Sequence, residues 1–322
     1  MKYNSKNMAI LISIMILYVL LARLGIYTTL GILLFPILSM PLAVSLIQDK
    51  FTAGTDFLFN SAVIIGIYLM TSSIQSVLVY TVMIAIPAYT VVLLHRRKLS
   101  VPHVVMYSAI IIISAIWLYL GFMKYLGTDY QKQFILIVNE IKQIYFENLE
   151  ALESSLPKQS SGQISMMKEA VIMAMDTIKL TYPAILLMTS IVLTTIQILF
   201  LGLVLKMKKA NPFDFSDFFH FRLSKMAVLV LFFAMMATLT YSDINNVYVI
   251  LSFNIIVFFE NLFQIIGVIA VILLLKKLAI NKALKIVSYI LIAILFVIYP
   301  SMLMMFGCLD TIFDYRKAEI IV

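Results

Sequence analysis

Four polar residues inside one long apolar stretch are the residues of this sequence best placed to do chemistry. Asn254, Glu260, Asn261 and Gln264 lie within residues 247–275, a stretch long and apolar enough to cross a bilayer. An ionised carboxylate is costly in hydrocarbon, so such groups usually face a bundle interior or a wet cavity. Of the sixteen acidic residues in the chain, Glu260 is the only one that the sequence places deep inside a span.

Helical spacing puts these four side chains, which we call the polar stripe, on neighbouring faces. Gln264 follows Glu260 by one turn, and Asn261 follows Asn254 by two turns. Three roles stay open. The carboxylate could couple a proton or cation, the carboxamides could bind a ligand through paired donors and acceptors, or the stripe could hold helices together at about 1 kcal/mol per hydrogen bond. Gln197, in an earlier apolar run, is a candidate partner. The candidate ligand-binding residues are therefore Glu260, Gln264, Asn261, Asn254 and Gln197.

The composition assigns the chain to the membrane. Of its 322 residues, 63% are hydrophobic and only 12% are charged, whereas soluble domains carry about 25% charged residues. The apolar runs are continuous, which favours helices over a barrel. An excess of Lys and Arg in cytoplasmic loops explains the net charge of +8 better than a nucleic-acid partner does. We therefore expect a lipid bilayer around the chain and no nucleic acid.

Few residues are suited to covalent or metal chemistry. The single cysteine, Cys308, excludes an intramolecular disulfide and a cysteine-based metal site, and the three histidines lie far apart. The sequence has no P-loop, dinucleotide fingerprint, hydrolase elbow or zinc-protease motif. A membrane enzyme would also need a second acid–base group near Glu260, which the sequence does not supply. We expect no catalytic residues, no metal and no cofactor.

Nine apolar runs predict an all-α, polytopic transmembrane bundle. They cover roughly residues 8–26, 29–47, 58–74, 77–94, 102–126, 180–205, 224–241, 247–275 and 284–307. With the N-terminus in the cytoplasm, alternating spans put fifteen of the twenty-four Lys and Arg residues on the cytoplasmic side, as the positive-inside rule requires. Nine crossings would put Arg316 and Lys317 outside, against that rule. Eight and nine spans therefore both stay open.

These runs divide the chain into three parts. An N-terminal bundle of about five spans covers residues 1–127, a helical hairpin covers 128–178, and a C-terminal bundle of three to four spans covers 179–322. In the hairpin, apolar residues recur at helical spacing on both sides of a Ser- and Gly-rich turn at 157–162. Alternation of the spans puts the hairpin outside the membrane. It is either a cap on the bundle or an interfacial connector.

Residues 211–222 form an aromatic segment between two apolar runs. Five phenylalanines lie among Asp, His and Arg in the sequence NPFDFSDFFHFR. Such a mixture suits the headgroup layer, where rings lie in the interface and charges reach water. The alternative is a coupling helix that docks a cytoplasmic partner. The candidate docking residues in this segment and the C-terminal tail are Phe213, Phe215, Phe218, Arg222, Asp314 and Arg316.

Prolines inside the predicted spans indicate bent or broken helices. They are Pro36, Pro41, Pro87, Pro183 and Pro300. Each removes a backbone donor and frees a carbonyl, which is tolerated at membrane depth only where it is buried in protein or lines a cavity. Broken helices of this kind often mark transporter sites.

A pattern of short motifs runs through most of the chain. In the C-terminal part it comprises a span with Asn254 or Asn261 followed by Gln264 and Gly267, then a Lys-rich loop over 276–285, then a last span that closes on Gly307–Asp310 and Phe313–Lys317. In the N-terminal part, Pro36 and Pro41 precede Gly54, and Pro87 precedes Arg96–Arg97. In this pattern the chain resembles the YybS-like family of bacterial integral membrane proteins, whose activity is not established. That family usually sets Gln directly beside Gly, whereas Ile265 and Ile266 intervene here. The resemblance implies a multi-pass protein of the bacterial plasma membrane.

The N-terminal part is also distantly similar to the substrate-binding subunits of energy-coupling-factor vitamin transporters. That resemblance implies a helical bundle open to the outside, a small molecule bound beneath the outer loops, and a separate coupling protein with ATPases.

Two functions follow from these observations. The first is a non-enzymatic, transport-type protein that captures a small solute, with Glu260, Gln264 and Asn261 lining its cavity. The second is a membrane scaffold or regulator in which the polar stripe only joins helices. Its function would then lie in residues 211–222 and the C-terminal tail, which would dock another protein.

Overall fold

In the computed structural model, every regular element of the described residues is helical. The structure describes residues 5–24, 36–48, 53–155, 161–208, 213–241, 246–278 and 281–314. The α-helices are α1 Ser5–Arg23, α2 Met40–Ile47, α3 Ala53–Thr71, α4 Ile74–Tyr80, α5 Ile86–Arg96, α6 Val101–Tyr125, α7 Tyr130–Ser155, α8 Ser161–Leu180, α9 Tyr182–Met207, α10 Lys225–Thr240, α11 Val247–Lys277, α12 Lys282–Ile298 and α13 Pro300–Phe313. A π-helical turn, Thr81–Ala85, joins α4 to α5, and a short 3₁₀ helix, Phe215–His220, lies ahead of α10.

Helix length supports four to five membrane crossings among the described residues. The continuous helix Ile74–Arg96 and helices α6, α9 and α11 are long and apolar enough to cross, and the pair α12–α13, bent by 108°, could count as a fifth. Four further apolar helical stretches of the described residues, Met8–Arg23, Pro36–Ile47, Thr55–Thr71 and Lys225–Thr240, have 10–17 residues, fewer than the roughly 20 that a hydrocarbon core requires. The all-helical membrane architecture is confirmed, whereas the count of eight or nine spans is not confirmed.

The chain forms two compact units, each built from two pieces of sequence. Unit 1 comprises Met1–Thr128 and Thr189–Phe218, and unit 2 comprises Asp129–Met188 and Phe219–Val322. The units divide after Thr128, near the predicted boundary at 127, then inside α9 after Met188, and again after Phe218.

In unit 1, α1 packs against α3 and α5 packs against both α2 and α6. Tyr18 of α1 is fully buried. Its hydroxyl donates to the Leu38 carbonyl at 2.7 Å, and its ring centre lies 5.4 Å from that of Tyr80. Arg96, at the end of α5, donates to the Leu46 carbonyl at 2.6 Å. The ends of α2 and α5 are therefore tied together by an arginine and a C-terminal carbonyl.

In unit 2, α7 and α8 pack against each other, as the sequence predicted for a helical hairpin. Lys168 of α8 lies 3.0 Å from the carboxylate of Glu153 on α7. The side of the membrane on which the hairpin lies stays a prediction. Elsewhere in the unit, Ala227 and Leu231 of α10 form a buried cluster with Phe263 and Ile266 of α11.

Two glycines bring α11 and α13 into backbone contact. A Cβ added to Gly267 would lie 2.8 Å from the Leu303 carbonyl carbon, and one added to Gly307 would lie 2.8 Å from that of Phe263. No other residue type leaves room for this approach, which is the usual role of small residues between membrane helices.

Candidate functional site

The structure gives the polar-stripe residue Asn254 a structural task between α8 and α9. Its Nδ2 donates to the Leu180 carbonyl at 2.9 Å, and its Oδ1 accepts from the Ala184 N–H at 2.9 Å. Leu180 is the last residue of α8 and Ala184 lies in the first turn of α9, so neither group has a full helical complement of partners. The carboxamide therefore satisfies two helix ends at once.

Gln264 performs the same kind of task at the break between α12 and α13. Its side chain is buried, and its Nε2 donates to the Phe296 carbonyl at 2.8 Å. In an uninterrupted helix the donor to that carbonyl would be residue 300, which is proline and has no N–H. Gln264 thus supplies the hydrogen bond that Pro300 removes.

The two remaining members of the stripe make no contact that indicates a cavity. Asn261 donates to the Val257 carbonyl of its own helix at 2.6 Å, and Glu260 is half-buried. The stripe residues lie on one helix, but they serve separate neighbours. The geometry of this helix therefore favours the third of the predicted roles, interhelical hydrogen bonding, for Asn254 and Gln264.

Among the described residues of unit 2, the fully buried acid is Asp310, not Glu260. Asp310, near the end of α13, has no exposed surface, whereas Glu260 is half-buried. Arg222 approaches Asp310, with 4.0 Å between Nε and Oδ2, and its Nη1 pairs with Asp314. The expectation that Glu260 is the only acid deep inside a span stays a prediction, because Asp310 is buried by protein near the end of α13 and not at mid-span. The cation that compensates Asp310 comes from the aromatic segment 211–222.

Gln197 binds a partner different from the one predicted. It is fully buried in unit 1, and its Nε2 donates 2.8 Å to the hydroxyl of Ser39, which lies in the turn just before α2. Within the described residues, Gln197 Oε1 and the neighbouring Thr194 hydroxyl have no hydrogen-bond partner. Gln197 therefore joins α9 to the break ahead of α2, while the polar stripe belongs to unit 2.

The aromatic segment docks largely onto its own chain. Phe213 is buried, with its ring centre 4.3 Å from that of His95, and Phe215 packs over Gly202. Phe218 is half-buried. Asp214 is exposed and accepts from the Ser216 N–H at 2.9 Å, and this hydrogen bond lowers the pKa of the Asp214 carboxyl. Of the predicted docking residues, Arg316 lies outside the described residues.

A cleft of about 650 Å³ in unit 1 is a candidate site for a small molecule. It lies between α3, the α4–π–α5 helix and α6. Its polar lining comprises Asn60, Tyr80, Thr81, Tyr89, Thr90 and Ser114, and its apolar lining comprises Ile64, Ala85, Ile86, Ile110, Ile111, Ala115 and Leu118.

A hydrogen-bonded triad occupies one wall of the cleft. Asn60 Nδ2 donates to the hydroxyl of Tyr89 at 2.6 Å, and Asn60 Oδ1 accepts from the hydroxyl of Tyr80 at 3.0 Å. Asn60 also donates to the Asp56 carbonyl of its own helix at 2.9 Å. Because Tyr89 accepts from Asn60, its own O–H remains to donate toward a guest.

The π turn beside the triad has a cause in the sequence. Pro87 has no N–H to donate to the Met83 carbonyl, which weakens the regular α-helical pattern at this point. The N–H of the preceding residue, Ile86, bonds to the Thr81 carbonyl five residues back rather than to the carbonyl four residues back. Such single-turn π segments occur frequently at functional sites. The opposite wall of the cleft consists of α6 residues that are partly exposed, with Leu118 76% exposed and Ile110 49% exposed. The cleft is therefore open toward the apolar surface of the unit.

Sequence reasoning missed this cleft, although two signals for it were present. Asn60 is an isolated amide in the apolar run 58–74, and Pro87 marks the helix that carries Tyr80 and Tyr89. The sequence does not show that α3 pairs with the α4–π–α5 helix. That pairing brings Asn60 into hydrogen-bond contact with Tyr80 and Tyr89, which follow it by 20 and 29 positions.

Comparison with known proteins gives a family and no nearer relative. No curated protein and no solved structure gives a significant match to this chain. A family model described as "Predicted membrane protein (DUF2232)" matches residues 9–312, which include every predicted span except the first residue of the first. The match agrees with the composition and with the long apolar helices of both units. This chain therefore belongs to the DUF2232 family of predicted membrane proteins.

Proposed function

We propose that this protein is a non-enzymatic ligand-binding component of a membrane transport system, and that it binds an amphipathic small molecule in the unit 1 cleft. The observation that carries the proposal is the cleft itself. Its volume of about 650 Å³ lies within the 300–1,000 Å³ range of small-molecule sites, and a hydrogen-bonded triad stands on its wall.

The lining indicates the chemistry of the ligand. The Tyr89 O–H offers one donor, so the ligand carries an acceptor such as a carboxylate, ester or phosphate oxygen. The remaining lining is mainly aliphatic and continues into the exposed α6 residues Ile110, Ile111 and Leu118. In a bilayer those side chains would face acyl chains. A lipid-like molecule that enters sideways from the membrane fits this lining better than a hydrophilic solute does.

The proposal retains the transport-type function predicted from the sequence and moves its site. The polar stripe was the predicted solute site, but Asn254 and Gln264 already bond to backbone groups of neighbouring helices. Support for transport comes from the resemblance to the YybS-like family and, more distantly, to energy-coupling-factor subunits. We propose accordingly a bacterial plasma membrane location, a cytoplasmic N-terminus, an outward-facing hairpin, and energy coupling by a separate protein or ATPase.

The scaffold alternative has less support. It requires Phe213, Phe215 and Arg222 to be available to a partner. However, Phe213 is buried, Phe215 covers Gly202, and Arg222 pairs with Asp310 and with Asp314, which follows α13. These contacts use the segment to hold this chain together.

The test is photolabelling of the full-length protein in lipid nanodiscs with diazirine-labelled palmitic acid. We expect the label on α6 between residues 110 and 118, and we expect excess unlabelled palmitic acid to prevent it. Tyr89→Phe removes one hydrogen bond to the carboxylate, worth about 1.5–3 kcal/mol, so the palmitic acid needed for half-protection should rise about 13- to 160-fold. Ser114→Phe, which fills the cleft, should abolish protected labelling.

The matched control is Tyr125→Phe, which removes the same hydroxyl from a position at the end of α6 that is 86% exposed. It should bind palmitic acid as the wild type does. Label spread evenly over the exposed apolar helices, with no protection, would refute a site in the cleft. Loss of protection in Glu260→Ala, with Tyr89→Phe unchanged, would return the site to the polar stripe.

A further inference from the structure

The direction of α13 relative to α11 follows from contacts at three levels of unit 2. Near the middle of α11, Gln264 bonds to Phe296, two residues before the end of α12. One turn further, Gly267 meets Leu303 and Gly307. These two contacts place the bend between α12 and α13 beside the middle of α11.

The third level lies at the lysine-rich end of α11. The ammonium of Lys276 lies 4.5 Å from the ring centre of Phe219, and Arg222, three residues after Phe219, pairs with Asp314 at the end of α13. The end of α13 therefore lies toward the Lys276 end of α11. Lys276 itself lies about 18 Å along the axis from Gln264, at 1.5 Å per residue.

Helix α12 begins at that same end. Only residues 278–281 separate Lys277 from Lys282, the first residue of α12, and α12 then reaches the level of Gln264 by Phe296. Its 17 residues rise about 25 Å, enough to reach the middle of α11 but short of a full crossing. The bend of 108° at Tyr299–Pro300 reverses the chain.

We propose that α12 and α13 form a re-entrant pair, which enters the membrane from the Lys276 side, turns near mid-depth and returns to the same side. The apex is compatible with hydrocarbon because Gln264 donates to the carbonyl that Pro300 leaves without a partner. The Gly267–Gly307 contact joins the rising helix to α11, and the ion pairs of Arg222 secure its end.

This topology accounts for a charge pattern that full crossings leave unexplained. Arg316 and Lys317 follow within four residues of Phe313 in the sequence. With a re-entrant pair they lie on the same side as Lys276, Lys277, Lys282 and Lys285, which is the cytoplasmic side by the positive-inside rule.

Cysteine accessibility tests the proposal. The single native cysteine is replaced with Cys308→Ala, and Lys277→Cys and Lys317→Cys are introduced one at a time. A membrane-impermeant maleimide is applied to intact cells and to inverted membrane vesicles. We expect both positions to react in the same preparation, and by the charge pattern that preparation is the inverted vesicles. Labelling of the two positions in opposite preparations would overturn the re-entrant pair.

A second measurement covers the case in which the cysteine-free chain fails to fold. Green fluorescent protein or alkaline phosphatase is fused to the wild-type chain at one of two points, either after Lys277 or after the last residue of the full-length chain. Fluorescence from both fusion points, with little phosphatase activity, supports the proposal. Phosphatase activity from the full-length fusion alone refutes it.

Discussion

Alanine at Gly267 should unfold the protein at a markedly lower temperature than wild type, because the added methyl group meets backbone rather than a side chain. Its Cβ would lie 2.8 Å from the Leu303 carbonyl carbon, closer still to the carbonyl oxygen, and 3.1 Å from the Gly307 nitrogen. Backbone atoms of a packed helix cannot rotate aside as the end of a flexible side chain can.

The size of the effect follows from the separation that the methyl group requires. Ordinary contact begins near 3.4 Å, so the carbonyl carbon alone must move by 3.4 − 2.8 = 0.6 Å, and the nearer oxygen requires more. A gap of about 0.5–1 Å forfeits a quarter to a half of the dispersion energy between facing atoms. Overpacking typically costs 1–3 kcal/mol of stability. Because the clash here is with backbone, we expect a loss at the upper end of that range, about 3 kcal/mol. At roughly 2–4 °C per kcal/mol, the Tm should fall by roughly 6–12 °C.

A thiol-reactive fluorogenic dye is a suitable assay, since Cys308 is the only cysteine and adjoins Gly307 on α13. Its half-buried thiol should become reactive as α13 leaves α11. Thermal scans of the detergent-solubilised protein then report the melting of this interface, and circular dichroism reports the helices as a whole.

Gly121→Ala on α6 is the matched control, because a Cβ there meets nothing within 4 Å. Removing a glycine from a helix interior should raise stability by roughly 0.5–1 kcal/mol, so the two substitutions should move the Tm in opposite directions. A Gly267→Ala protein that melts within 2 °C of wild type by both probes, against the roughly 6–12 °C expected, would refute the backbone contact.

Two further predictions concern the buried polar contacts of unit 2. Gln264→Leu leaves the Phe296 carbonyl without its donor and should cost about 1–3 kcal/mol in thermal scans, whereas the exposed Gln163→Leu should cost nothing measurable. Equal melting of these two variants would argue against the repair of the helix break. Arg222→Leu leaves the buried Asp310 without its cation and should cost about 3–5 kcal/mol, and adding Asp310→Asn should recover most of the loss. Failure of that second substitution to restore the Tm would mean that Arg222 acts through packing.

Helix positions followed from the sequence because the length of an apolar run sets the length of a membrane helix. The predicted run 102–126 corresponds to Val101–Tyr125, and the run 247–275 corresponds to Val247–Lys277. The run 284–307 was predicted as one span, and it is two helices. Pro300 had indicated a break, but the direction of the chain after it depends on Gln264 and Arg222, which lie far away in sequence.

The candidate site was harder to predict for the same physical reason. The polar stripe was visible because its residues share one helix, yet the roles of Asn254 and Gln264 depend on carbonyls 74 and 32 residues away. Asn60, Tyr80 and Tyr89 lie on two helices with no common spacing, so no periodicity joins them. Local pattern identifies which residues are costly to bury, and tertiary packing decides what compensates them.

The π turn at Thr81–Ala85 determines the direction in which the later side chains of the same helix point. Nine residues of regular α-helix rotate by about 900°, which would put Tyr89 on the side opposite Tyr80. A π turn absorbs one residue, so the effective rotation is about 800°, and both hydroxyls can reach Asn60. Deleting a single residue within 81–85 would therefore keep Tyr89 beside its amide, because eight residues of regular α-helix rotate by the same 800° or so. A one-residue deletion in a regular α-helix would instead rotate every later side chain by about 100°.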